Sequence, residues 1–261
     1  MLTFVAALAA SQGARNQQED AASLWPGPSS CVAPFERAPE AGRFIAALAD
    51  GMGGHAGGAR ASRTVCAHFL VAFAEADAAI RDRLETGLWA ANRAIAEDVA
   101  GNRSLEGMGS TLIGTAFGPE GLEWVSVGDS PLYFWRRGEI ALVNEDHSLA
   151  PLLDKMAGEG RMTVAEASSD PRRHMLRSAI TGEDLELVDL AAKPLALSAG
   201  DCVILASDGI HTLDEAEICR IVSAYVLDGP QAVASALVRA VDNIRAAHQD
   251  NVTVVVVCVQ A

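Results

Sequence analysis

No cluster of lysine and arginine offsets the acids of this chain, whose formal net charge is −14 with a sequence pI near 4.8. Phosphate backbones and anionic bilayers are gripped by clustered cations, so no nucleic-acid partner and no membrane partner is expected. No apolar stretch approaches the roughly 20 residues needed to span a bilayer. The apolar start, residues 1–10, lacks the basic n-region of a secretory signal and reads as a first strand. The five cysteines (Cys31, Cys66, Cys202, Cys219, Cys258) contain no CxxC pair, and Cys202 and Cys258 lie in apolar runs where the thiol packs as a small hydrophobe. A reduced, cytoplasmic setting is therefore expected. Repeats, low-complexity tracts and linkers are also missing, so one domain over residues 1–261 is expected, large enough for a substantial core.

What is present is strong periodicity. Val65, Phe69, Ala72, Phe73 and Ala76 recur at helical spacing, as do Ile80, Leu84, Leu88, Ala91, Ile95 and Val99, which predicts two consecutive amphipathic helices. Further helices are expected over 214–227 and 230–247, the second opening on Pro230. Strand signals cover 43–49, 110–117, 122–127, 132–136, 139–143, 201–206 and 252–259. Arg136-Arg137-Gly138 reads as a hairpin corner, and the nearly unbroken apolar run 252–259 as a strand covered on both faces. These elements predict an α+β layered sandwich. Residues 147–182 have weak periodicity and many charges and turn formers, which suits a mobile surface flap.

Aspartates end or border the apolar runs. Asp50-Gly51, Gly128-Asp129-Ser130 and Ser207-Asp208-Gly209 each follow a strand signal, and Asp250-Asn251 precedes another. Any one of these is an ordinary turn dipeptide. Together they bring four carboxylates to the rim of a sheet, where they are costly unless paired or metal-bound, and few cations stand beside them. Oxygen donors with no His or Cys cluster point to a hard cation, Mg²⁺ or Mn²⁺, rather than zinc. In Arg15-Asn16-Gln17-Gln18-Glu19-Asp20, arginine suits a bidentate grip on phosphate and the two acids suit metal or metal-bound water, although the same stretch alone reads as a solvated turn.

In this order, Arg15-x3-Glu19-Asp20, Asp50-Gly51-Met52-Gly53-Gly54-His55, Gly109-Ser110-Thr111, Gly128-Asp129-Ser130, Asp146-His147-Ser148, Ser207-Asp208-Gly209 and Asp250-Asn251-x-Thr253 resemble the PP2C (PPM) family of metal-dependent protein serine/threonine phosphatases, in its bacterial single-domain form. The resemblance covers about residues 4–259. It implies a four-layer αββα sandwich, two antiparallel sheets flanked by helix pairs, and hydrolysis of phosphoserine and phosphothreonine proteins by a water held between two Mn²⁺ or Mg²⁺ ions. On that reading Asp50 bridges the ions, Asp208 and Asp250 complete the first site, and Glu19 and the Gly51 carbonyl serve the second. Asp20 orients metal-bound water, Asp129 holds a third ion with Asp208, and Arg15 clamps the phosphate. His55 is either the general acid for the leaving oxygen or a hydrogen-bonding member of the Gly-rich turn. His147 and Ser148 are expected to anchor the flap, and His174 lies within it without an assigned role.

The implied partner is an opposing bacterial Ser/Thr kinase. Pro131 stands where the family usually has Arg, which bears on the third site, and Asp170-Pro171 where His-Pro is common. A docking pseudophosphatase is a competing reading, opposed by the intact acid set; a phosphatase of an anti-sigma-factor antagonist is another, opposed by Arg15. Gly51-x-Gly53-x-x-Ala56 also fits a dinucleotide fingerprint, but two helices follow it where a strand is required, and Asp50 would face the pyrophosphate.

Overall fold

The computed structural model describes residues 2–25, 35–41 (backbone only), 44–53 and 57–261. The chain order is β1 (Thr3–Ser11), β2 (Asp20–Trp25), β3 (Phe35–Ala41), β4 (Phe44–Met52), α1 (Gly57–Glu75), α2 (Ile80–Gly101), β5 (Gly109–Ser110), β6 (Leu112–Gly118), β7 (Gly121–Val127), β8 (Leu132–Arg136) and β9 (Glu139–Leu142). Then come α3 (Ala150–Gly158), α4 (Val164–Ser169), β10 (Asp189–Leu190), β11 (Cys202–Ala206), α5 (Glu215–Tyr225), α6 (Pro230–Ile244) and β12 (Val252–Gln260).

The strands form two sheets, one ordered β3-β1-β12-β11-β8-β9 and the other β10-β7-β6-β4-β2, with β5 paired to β4. Their pairings are antiparallel throughout the described residues. The continuous apolar run of β12 is explained by the period of 2 along a strand. Val254, Val256 and Cys258 face the layer of α5 and α6 with Ile221, Val233 and Leu237, while Val255, Val257 and Val259 face the other sheet with Leu48, Ile113 and Phe117. The second sheet buries Ala47, Leu112 and Val125 against Val65, Phe69, Leu84 and Leu88 of α1 and α2. Three apolar layers thus hold four structural layers, αββα.

The expected hairpin corner is a two-residue turn between β8 and β9, with φ of 52° at Arg137 and 88° at Gly138 and Arg136 opposite Glu139. α5 and α6 end earlier than the expected 227 and 247: residues 226–228 tighten into a 3₁₀ turn, and Arg245 caps α6 in the left-handed region at φ 55°. The segment expected as an irregular flap holds two short helices. α4 starts on a capping box between Thr163 and Glu166, and α3 has Pro at its first turn. They bury only Leu153 and Ala167. Backbone bridges fix the segment's base, Leu149 N donating to Met175 O, Arg177 N to His147 O and Ile180 N to Ser110 O, each at 2.8–3.0 Å.

Candidate active site

The strand ends of both sheets open on one cavity of about 950 Å³, walled by Glu19, Asp50, Asp129, Asp208 and Asp250 together with Arg15 and a strip of the flap. Adjacent antiparallel strands carry the acids there. Asp20 lies opposite Asp50 in the β2–β4 register, Asp208 follows β11, and Asp250 immediately precedes β12. Ser207 stitches the two sheets at this end: its hydroxyl donates to Asp20 Oδ2 at 2.7 Å and accepts from Thr253 N at 2.9 Å.

The loop before β2 is held by one amide. Asn251 Oδ1 accepts from Glu19 N at 2.8 Å, and its Nδ2 donates to Gln12 O at 2.8 Å and Gln17 O at 3.0 Å. Asn thus reads three backbone groups of a loop that has no strand partner there, and the loop brings Arg15 onto Asp250 as an ion pair. The guanidinium expected to clamp phosphate is therefore engaged with a carboxylate expected to hold metal.

Asp50 is fixed from the other side. Its backbone N donates to Thr111 Oγ1 at 2.9 Å, and its carbonyl accepts from Thr111 N at 2.8 Å and from Ser110 Oγ at 2.7 Å. Gly51 must be glycine, because a Cβ there would lie 2.0 Å from Gly58 O and 2.7 Å from Glu19 O. Asp129 is presented by Gly128, where φ is 105° and an added Cβ would lie 2.6 Å from Thr111 Cγ2, so a side chain is excluded. Gly128 N donates to His147 Nδ1 at 3.2 Å and Gly128 O accepts from His147 N at 3.1 Å. Buried His147 therefore links the Asp129 loop to the flap base through Arg177. Pro131 accepts from Ala206 N through its carbonyl, and the adjacent Leu132 N donates to Asn144 Oδ1 at 2.7 Å, so the departure at 131 is absorbed by backbone and Asn144 contacts. His174 lines the cavity from the flap, and His55 lies outside the described residues.

Among the described residues the acids ring the cavity without closing into a ready-made cage of three ligands. Their electrostatics are unfavourable without a cation. Burial pushes Asp50 well above the usual carboxylate range, and Asp20, Asp208, Asp129 and Asp250 push it further. Burial, opposed by the bonds from Ser207 and Thr253, raises Asp20 to about 7, and burial together with Asp208 raises Asp129 to about 7. Asp208 is raised by burial and by Asp250. Asp20 Oδ1 and Asp208 Oδ1 are buried with no hydrogen-bond partner among the described residues. A native fold that leaves buried carboxylate oxygens orphaned and mutually repelling, at and beside a polar cavity, fits a site for hard divalent cations.

The flap supplies part of the wall. Leu176, Arg177, Ser178, Thr181, Glu183 and Glu186 line the same cavity, contributed by irregular chain whose spacing carries no periodic signal. Ser207, which joins the sheets beneath the acids, was assigned no role; the only mark in sequence is its place between an apolar run and Asp208.

The layers and the acid-lined cavity at the sheet ends define a four-layer αββα fold with a polar site at one end, and comparison with known proteins fixes the family. Residues 35–247 match the family described as Protein phosphatase 2C, and the chain belongs to it. The chain is 38% identical over 221 residues to the serine/threonine protein phosphatase PstP of Mycobacterium tuberculosis, covering 83% of this chain and 40% of that protein. It thus spans about two-fifths of the length of that curated relative. It is 31% identical over 224 residues to protein phosphatase PhpP of Streptococcus pneumoniae, covering 83% of this chain and 86% of that protein. The catalytic domain of PstP, solved in complex with two manganese ions, superposes with a TM-score of 0.76 at 29% identity, covering all of both chains.

Proposed function

We propose that this chain dephosphorylates phosphoserine and phosphothreonine in proteins, using Mn²⁺ or Mg²⁺ held by the carboxylate ring. The observation that carries this reading is the cluster of half-buried acids around a cavity large enough for a phosphorylated side chain, with buried Asp20 beside it and with Asp20 Oδ1 and Asp208 Oδ1 unpartnered among the described residues. Family membership and the two manganese ions of the PstP structure support it.

Asp50, the Gly51 carbonyl, Glu19, Asp208 and Asp250 would hold two ions, Asp20 would orient their water, and Asp129 with Asp208 would hold a third. When bound, the ions supply an acidified water and draw charge from the phosphoryl oxygens. The protein's own contribution is placement. The Ser110–Thr111 bonds hold Asp50, Asn251 holds the Glu19 loop, and Gly51 and Gly58 let backbone approach where a Cβ would block it. Arg15 lies at the cavity mouth, where a guanidinium released from Asp250 orients phosphate through parallel hydrogen bonds. His55, a candidate for protonating the leaving group or for a hydrogen bond within the Gly-rich stretch, follows Gly51-Met52-Gly53-Gly54 in sequence. The two sheets and their helices would work as one catalytic domain with residues 147–182 as its flap. A cytoplasmic location, opposite a bacterial Ser/Thr kinase, completes the proposal; among the described residues no helix is long and apolar enough to cross a membrane.

The test is hydrolysis of phosphoserine and phosphothreonine peptides and p-nitrophenyl phosphate with Mn²⁺, Mg²⁺ or excess EDTA. Turnover is expected only with added cation. Full turnover in EDTA would remove the metal from the reading, and no turnover of any phosphoester with either cation would remove the activity.

A further inference from the structure

The flap carries three arginines close together in sequence, and the structure separates them. Arg172 is closed onto Asp170, with Nη2 donating to Oδ2 at 2.8 Å. Arg173 forks onto Asp154 through Nη1 and Nη2, both at 2.8 Å, and so ties α3 to the chain after α4. Arg177 alone of the three lines the acid-ringed cavity. Its backbone is fixed, N donating to His147 O at 2.8 Å, while its side chain is exposed and makes no hydrogen bond or ion pair among the described residues.

The other basic side chains described around that cavity are Arg15, which is paired with Asp250, and His174. An unpaired guanidinium facing a ring of carboxylates, on backbone bonded to the same His147 that holds the Asp129 loop, is placed for an anion that enters the cavity. Acidic side chains are abundant on the same wall, in Glu183, Asp184 and Glu186, yet none of them is hydrogen-bonded to Arg177. Its position is thus kept open for something that arrives.

We infer that Arg177 binds the phosphoryl oxygens of the substrate from the flap side, as a second guanidinium grip beside Arg15. The inference rests on the proposed phosphatase reading and names a further substrate-binding residue for it. A planar fork holds phosphate in orientation as well as in place, and lysine keeps the charge while losing the fork. The ligand is the phosphoryl group itself rather than an acidic residue of the substrate peptide. Small and large phosphoesters must therefore depend on Arg177 alike.

The experiment compares wild type, Arg177→Met, Arg177→Lys and, as a flap-charge control, Arg172→Met. KM and kcat are measured with p-nitrophenyl phosphate and with a phosphothreonine peptide in Mn²⁺, and binding of inorganic phosphate to the Mn²⁺-loaded proteins is measured by calorimetry. Arg177→Met is expected to raise KM for both substrates and the Kd for inorganic phosphate by about tenfold or more, the weight of a charge-assisted contact. Arg177→Lys recovers part of that loss, and Arg172→Met stays at wild type. Unchanged KM and phosphate Kd in Arg177→Met overturn the inference, as does a defect confined to the peptide, which would make Arg177 a reader of flanking residues. A thermal melt of each variant separates loss of contact from loss of fold. If wild type itself hydrolyses neither ester, the phosphatase reading fails first; the phosphate calorimetry then still reads Arg177.

Discussion

Asp208 shows how a residue can be poorly placed for stability and well placed for chemistry. Its Oδ1 is buried without a hydrogen-bond partner among the described residues, and burial and the neighbouring Asp250 both disfavour its charge. Asparagine is nearly isosteric and carries no charge. Asp208→Asn is therefore expected to leave the metal-free melting temperature unchanged or to raise it by a few degrees, while lowering kcat by about a hundredfold or more, as removal of a central electrostatic group does. The stabilisation by added Mn²⁺ should shrink in parallel. A variant that melts well below wild type without metal would mean Asp208 is a structural acid with a partner it needs. Normal turnover at limiting Mn²⁺ would take it out of the site. The same tension applies to Asp20, whose free Oδ1 sits beneath the cavity while Oδ2 is held by Ser207.

At the scale of elements, the flap is attached by its base and not by its helices. α3 and α4 bury only Leu153 and Ala167, whereas the base is bonded to His147, Leu149 and Ser110. Replacing residues 151–170 by a short Gly-Ser linker should therefore hold p-nitrophenyl phosphate turnover within about tenfold and change selectivity among phosphopeptides, because surface loops tolerate shortening at small entropic cost. Loss of both activities, with a collapsed melting temperature, would show that the helices support the sheets. Sequence periodicity exposed α1, α2 and β12 because each buries a face or both faces in a thick layer, so the apolar spacing has no alternative use. It did not expose α3 and α4, which bury almost nothing, nor β10, which is two residues long, nor β3, which carries Pro39 and, among the described residues, pairs with β1 alone at the sheet's edge. β2 was hidden for another reason: its DAASLW run starts on the buried acid Asp20, which reads as turn chemistry. The carboxylates of the site were legible because an acid ending an apolar run contradicts its surroundings. The flap side of the cavity was harder to place, because Arg177 and its neighbours lie in irregular chain, where polarity is ordinary and spacing does not tell Arg177 from Arg172 or Arg173.

Over the whole molecule, an excess of negative charge of −14 and a core of repelling buried acids act in the same direction as pH rises. Asp20 and Asp129 have folded pKa values near 7 against an ordinary carboxylate value near 3.8. A group whose folded pKa is raised favours folding fully below its unfolded pKa and loses that contribution as pH climbs through the folded value. The metal-free protein should therefore lose stability steadily between about pH 4 and about pH 7. The surface acids Asp98, Asp154 and Asp170, lowered by hydrogen bonds to Arg60, Arg173 and Arg172, work with the opposite sign but titrate below this window. Divalent cations bind the ionised carboxylates, so protons compete with them, and ligand binding to the native state adds RT ln(1 + [L]/Kd), about 2.7 kcal/mol at a hundredfold excess over Kd. At one Mn²⁺ concentration the gain in melting temperature should thus be larger at about pH 7.5 than at about pH 5.5, and Mn²⁺ should flatten the decline seen without it. Calorimetric melts at both pH values, with Mn²⁺ and with EDTA, measure the difference directly. An equal or larger gain at the lower pH would mean that the buried acids are not what the cation engages, and the centre of the site would have to move from Asp20, Asp50 and Asp129 toward the more exposed Glu19 and Asp250.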